Sequence, residues 1–105
     1  GWAVVTRRAV LALETVDAFV PVRTDGTTLD LRGQRVEEAL ERVDAFIDRM
    51  MSEGERGAYV LHGHGTGALK AAVREHLAAS RYVARAEPAD SADGGDAFTM
   101  FWIRE

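Results

Sequence analysis

A chain of 105 residues, 47% hydrophobic and 29% charged, suits one folded domain large enough to bury a core without covalent staples. It contains no cysteine, which excludes disulfides, a thiolate zinc site and a cysteine nucleophile, and no apolar run nears the ~20 residues needed to cross a bilayer. The net charge of -4 excludes a uniformly basic, polyanion-tracking surface, yet over residues 58–86 Lys and Arg outnumber Asp and Glu by 4 to 1.

Gly1-Trp2 begins without the charged and apolar regions of a signal peptide, so the expectation is a soluble, cytoplasmic protein. Residues 1–26 show an apolar stretch at 9–13 and the segment Phe19-Val20-Pro21-Val22 among Arg and Asp. They are expected to be a linker or N-terminal extension, with the domain proper at 27–105. Asp25-Gly26 signals a turn, followed by the extended stretch Thr27-Thr28-Leu29-Asp30-Leu31, in which Leu29 and Leu31 point one way and Asp30 and Arg32 the other.

From Val36 the period changes. Val36, Ala39, Leu40, Val43, Phe46, Ile47 and Met50 recur at steps of three and four, with acids on the other face, which predicts an amphipathic helix ending at Gly54 or Gly57. Ala58-Tyr59-Val60-Leu61 suits a buried strand. After the turn His62-Gly63-His64-Gly65-Thr66-Gly67, the spacing of Leu69, Ala72, Val73, His76 and Leu77 predicts a second helix to about Ala79. His76 falls on its apolar face and is expected to be a packed or edge histidine. Residues 82–87 read as a strand stopped by Pro88, residues 89–96 as a mobile loop, and residues 97–103 as a final strand.

This order predicts an α/β fold, a two-layer sandwich of a four-stranded mixed sheet and two main helices (βαβαββ). Strands joined by helices should be parallel and the last two antiparallel. Ligands of such sheets lie beyond the carboxyl ends of the parallel strands. Asp30-Leu31-Arg32-Gly33 and Leu61-His62-Gly63-His64 therefore arrive at one edge.

Gly63, Gly65 and Gly67, alternating between a strand and a helix, let backbone amides turn inward toward an anion, with the helix N-terminus behind them. The spacing matches neither dinucleotide nor P-loop fingerprints, so mononucleotide binding is not indicated. A structural tight turn is the plain alternative. Gly63, His64, Gly65, Thr66, Gly67 and Lys70 form the candidate nucleic-acid-binding set. His62 can move a proton near neutral pH, Arg32 can offset phosphate charge, and Asp30 can orient His62 or act as a base, together a set suited to phosphodiester chemistry. Two alternatives stand beside this: Asp30 and Arg32 as an ion pair with each other, and His62, His64 and Asp30 as a metal site.

At these motifs the sequence resembles the Smr, or small MutS-related, domain. The resemblance rests on Leu29-Asp30-Leu31-Arg32-Gly33 with Val36-Glu37-Glu38-Ala39-Leu40, on His62-Gly63-His64-Gly65-Thr66-Gly67-Ala68-Leu69, and on Gly94-Gly95-Asp96 before the last strand, spanning residues 27–103. Many free-standing members carry histidine where this chain has Arg32, and the chain is instead similar to the branch at the carboxyl end of the second type of MutS-like ATPases. Without that histidine, proton transfer falls to His62 and Asp30. The resemblance implies a fold like the carboxyl domain of translation initiation factor three and an endonuclease cutting DNA or RNA. It also implies a larger protein with ATPase domains, acting in recombination suppression or on ribosomes, and leaves open whether cleavage uses Mg or Mn. A non-catalytic nucleic-acid or ribosome-binding module is the rival reading. A structural or dimerising domain, suggested by Phe101 and Trp102, is the third.

Overall fold

The alternation of apolar and acidic positions after Val36 winds into helix α1 (Val36–Ser52), which buries Ala39, Val43, Phe46, Ile47 and Met50 along one stripe. Glu37 and Glu38 occupy its first turn, where the helix dipole favours negative charge. Its end is set by Gly54, at φ +75°: the Gly54 amide donates to the Met51 carbonyl at 3.1 Å and the Glu55 amide to Met50 at 2.9 Å. That pair of bonds requires a left-handed residue, hence a glycine. The structure, a computed structural model, describes residues 19–105, so the apolar stretch at 9–13 lies outside the described residues.

The remaining elements are β1 (Thr28–Asp30), β2 (Gly57–Leu61), helix α2 (Ala68–Ala79), β3 (Val83–Pro88) and β4 (Phe98–Ile103). They form one four-stranded sheet in the order β1-β2-β4-β3, confirming the α/β architecture. β1 and β2 are parallel, with Asp30 opposite Leu61. β4 runs antiparallel to both β2 and β3, so β2 and β3 share a direction, as a helical connection demands, but the last strand inserts between them. β1 is shorter than the extended stretch suggested, because residues Asp25–Thr27 form a 3-10 turn. The Thr24 hydroxyl caps that turn by accepting from the Thr27 amide, and Thr27 Oγ1 accepts in return from the Thr24 amide at 2.9 Å. Pro88 belongs to β3, tolerated because β3 is an edge strand. Residues 89–96 contain the 3-10 turn Ser91–Asp93 and the start of a second, Gly95–Ala97.

Both helices cover one face of the sheet. Leu29, Val60, Val83 and Phe101 meet Ala39, Val43, Phe46, Ile47, Val73 and Leu77 there, with Phe46 and Phe101 edge to face at 6.2 Å. The other face carries Tyr59, Met100 and Trp102, packed with Phe19 and Phe98. The chain entering at Phe19 is bonded to this face: Trp102 Nε1 donates to the Phe19 carbonyl and the Tyr59 hydroxyl to the Pro21 carbonyl, each at 2.6 Å. Pro21 fills the space where a Cβ on Gly57 would stand, so β2 has to begin with glycine. Phe101 and Trp102 are thus core residues, 0% and 8% exposed. Among the described residues, no helix is long and apolar enough to cross a membrane.

Candidate functional site

The parallel pairing of β1 and β2 carries their carboxyl ends to one edge. The Leu31 amide donates to the Leu61 carbonyl at 2.8 Å, holding the two strand exits together just before Arg32 and His62. The aliphatic stem of Arg32 lies against Gly63, where a Cβ would fall 3.3 Å from Arg32 Cγ. Two motifs 30 residues apart therefore form one surface.

Within that surface Asp30 and Arg32 bind each other at two points. Arg32 Nε donates to Asp30 Oδ1 at 3.0 Å and a terminal nitrogen to Oδ2 at 2.8 Å, while the Arg32 amide also donates to Oδ1 at 3.0 Å. These bonds from Arg32 hold the Asp30 carboxyl down at about 2, and the carboxylate raises the Arg32 pKa in turn. The pair is half exposed and open to exchange with a ligand. Arg42 on α1 adds a bond to the Asp30 carbonyl at 3.3 Å.

The turn itself is built on three left-handed glycines, Gly63 (φ +76°), Gly65 (φ +44°) and Gly67 (φ +86°). It is closed by the Gly67 amide donating to the His64 carbonyl at 3.0 Å and anchored by the amides of His62 and Gly63, both bonded to the Ala97 carbonyl. Among the described residues, the amides of His64, Gly65 and Thr66 donate to no protein acceptor, and open space lies over Gly65 and Gly67. Thr66 Oγ1 accepts from the Ala68 amide at 3.3 Å and so is spent on starting α2, and His64 is exposed. The first turn of α2 has no acid, contrary to the usual complement of a helix dipole, and instead carries Lys70. The turn thus presents unbonded amides at the start of α2, where a helix dipole adds partial positive charge.

His62 is buried, 5% exposed, behind this turn. Its Nδ1 lies 2.9 Å from the Gly63 carbonyl and its Nε2 2.8 Å from Thr99 Oγ1. Burial lowers its pKa most; the bond to the Gly63 carbonyl opposes this, the nearby cations Arg74 and Lys70 lower it further, and Asp96 opposes least. Both ring nitrogens are thus engaged by the protein, and neither partner is Asp30.

Arg74 and Thr99 went unmarked in the sequence, and Asp96 was marked only as part of the Gly94-Gly95-Asp96 motif. Arg74 on α2 donates through Nε to Thr99 Oγ1 at 2.8 Å and through a terminal nitrogen to Asp96 at 3.0 Å, and Lys70 pairs with the same carboxylate. Those two cations, Lys70 first, hold the Asp96 carboxyl at about 2. Thr99 was the available signal, a polar residue inside the apolar run Phe98-Thr99-Met100-Phe101-Trp102. His76 lies away from the turn and ties α2 to α1 through Asp44 at 2.7 Å, an edge histidine.

Among the described residues no group of three or more His, Asp or Glu side chains is arranged to hold a metal ion. A cleft of about 390 Å³ opens at the opposite end of β4, lined by Phe19, Arg56, Trp102 and Arg104, and none of the turn residues borders it.

Comparison with known proteins gives this edge a family. The sequence profile of the Smr domain matches residues 29–104. The chain is 54% identical over 76 residues to the endonuclease MutS2 of Anaeromyxobacter sp. (strain Fw109-5), covering 72% of this chain and 9% of that protein. It is 46% identical over 77 residues to that of Symbiobacterium thermophilum, covering 73% and 10%. Thus the chain spans about a tenth of the length of these curated relatives. The crystal structure of the Smr domain of Thermus thermophilus MutS2 superposes with a TM-score of 0.73 at 37% identity, covering 75% of this chain and 99% of that one. YdaL, a stand-alone small MutS-related protein from Escherichia coli, shares the fold with a TM-score of 0.74 at 23% identity, covering 80% and 69%.

Proposed function

The chain belongs to the Smr domain family, and from that premise we propose that it is a nucleic-acid endonuclease domain, hydrolysing a phosphodiester of DNA or RNA. We place it within a larger MutS-like ATPase, acting in recombination suppression or ribosome rescue, with residues 27–105 as the working unit and residues 1–26 leading into it. The observation that carries the reading is the shared edge: a guanidinium–carboxylate pair whose stem rests on the first glycine of a turn with unbonded amides.

In this reading the amides of His64, Gly65 and Thr66 receive the phosphate, with the His64 side chain and Lys70 beside it. Arg32 exchanges one Asp30 oxygen for a phosphate oxygen, which costs little because the pair is exposed. Asp30, released from that bond, accepts the proton of the attacking water, and the leaving oxygen takes its proton from solvent. His62 works from behind the turn as a neutral imidazole that fixes the Gly63 peptide.

The test is incubation of the chain with labelled single-stranded and duplex DNA and RNA, with EDTA and with added Mg or Mn. Asp30→Asn should slow cleavage by about 10²–10⁴-fold, the usual worth of a general base, and His62→Ala should slow it as well. Equal product from wild type and Asp30→Asn would overturn the assignment. The two-point hold of Arg32 on Asp30 favours a second reading, a nucleic-acid or ribosome-binding module that does not cut. Binding without product under every metal condition would establish it.

A further inference from the structure

The bonds around His62 fix where its hydrogens lie. A carbonyl oxygen only accepts, so Nδ1, 2.9 Å from the Gly63 carbonyl, carries a hydrogen. Arg74 Nε only donates, so Thr99 Oγ1, 2.8 Å away and fully buried, accepts from it. The hydroxyl keeps one proton of its own, and His62 Nε2 stands 2.8 Å away to take it. With a neutral ring every group in this chain is satisfied; with a charged ring the Thr99 proton has nowhere to go. The charged groups facing the ring are Arg74 and Lys70 from α2 and Asp96 from the turn before β4. Asp96 also holds Arg74 in place, at 3.0 Å.

The consequence reaches the ligand side of the turn. No described peptide bond is cis, and in a flat trans peptide the carbonyl and the next N–H point in opposite directions. Drawing the Gly63 carbonyl toward the buried ring therefore turns the His64 N–H away from it.

We propose that Thr99 and Arg74 are positioning residues for a phosphate-binding turn: they hold His62 as the Nδ1–H tautomer, which grips the Gly63 carbonyl and aims the His64 amide at a phosphate oxygen. This rests on the reading of the turn as a phosphate site. It adds residues from α2 and β4, elements that neither strand-end motif contains.

The test begins with ¹⁵N-labelled chain and long-range histidine correlation spectra at pH 7. The expected result is a bare Nε2 and a protonated Nδ1 on His62; a hydrogen on Nε2 at that pH overturns the proposal. Thr99→Val, close in shape but without the hydroxyl, should shift the ring to mixed tautomers. It should also abolish the response of the His64 amide to inorganic phosphate and weaken binding of a labelled single-stranded oligonucleotide about tenfold, as for one lost oriented donor. Thr99→Ser should restore all three, and Thr99→Ala serves if the valine chain does not fold. Wild-type ring shifts in Thr99→Val, or altered shifts with an unchanged amide response, sink the proposal. If the wild-type ring behaves as expected while phosphate leaves the turn untouched, the phosphate reading fails and the hydrogen-bonded relay stands.

Discussion

In the unfolded chain the His62 imidazole takes up a proton near its ordinary pKa of 6.5, whereas in the folded protein burial and the Arg74 and Lys70 charges hold it neutral to lower pH. Between the two values the unfolded state binds more protons, so stability rises with pH across that window and falls on acidification from about 6.5. The slope is at most about 1.4 kcal/mol per pH unit for one group. Urea unfolding at pH 7.5 and 5.5 should show a lower midpoint at the acid value, a difference that shrinks in His62→Gln; an unchanged midpoint would contradict the buried neutral ring. Asp30 and Asp96 act in a separate window. Their folded pKa values near 2 stabilise above the ordinary carboxylate value of 3.8 and that contribution is lost below it, screened because both carboxylates are half exposed. At this scale the sequence marked Asp30, Arg32 and His62 through their adjacency to strand ends and glycines. It did not mark Arg74 or Thr99, and gave Asp96 no role beside His62, because these connections run through the fold, and no local spacing encodes a hydrogen bond from residue 62 to residue 99.

Among elements, legibility followed periodicity. α1 emerged with its start because five buried positions repeat over 17 residues, while its end was left between Gly54 and Gly57 and it is Gly54 that closes it. Strand identity was readable too, but strand order was not: a run such as Phe98-Thr99-Met100-Phe101-Trp102 states that it is buried on both faces, not which neighbours it has. The stretch 89–96 read as a loop from its composition, yet it places two groups on which the site depends, the Asp96 carboxylate and the Ala97 carbonyl that follows. Gly94 is the joint between its two 3-10 turns. It sits at φ +105°, and a Cβ there would lie 2.2 Å from the Phe98 ring. Gly94→Ala should therefore cost about 1–3 kcal/mol by strain and displacement of the ring. Thermal unfolding reads this as a drop of about 4–8 °C per kcal/mol for a domain near this size, and an unchanged transition would show that the turn adapts freely.

For the whole molecule, the sheet face opposite the helices depends on residues that precede the strand–helix pattern. Phe19 and Pro21 accept hydrogen bonds from Trp102 and Tyr59 and cover an otherwise bare apolar surface. A chain starting at residue 27 should be less stable than one starting at residue 19 by about 2–4 kcal/mol, from two lost hydrogen bonds, one buried and one part-buried, and uncovered aromatic area. Equal urea midpoints for the two chains would mean the contacts contribute nothing. The same assembly has a consequence in time. Among the described residues β4 comes last in sequence but sits inside the sheet, and it is the strand that β3 pairs with. During synthesis β1, α1, β2 and α2 can emerge and begin to pack, while β3 waits with both edges unpaired until residues 98–103 clear the ribosome. Those late, long-range pairings slow closure. The glycine turn, whose first two amides hang from the Ala97 carbonyl, is set only once that segment and β4 have been made.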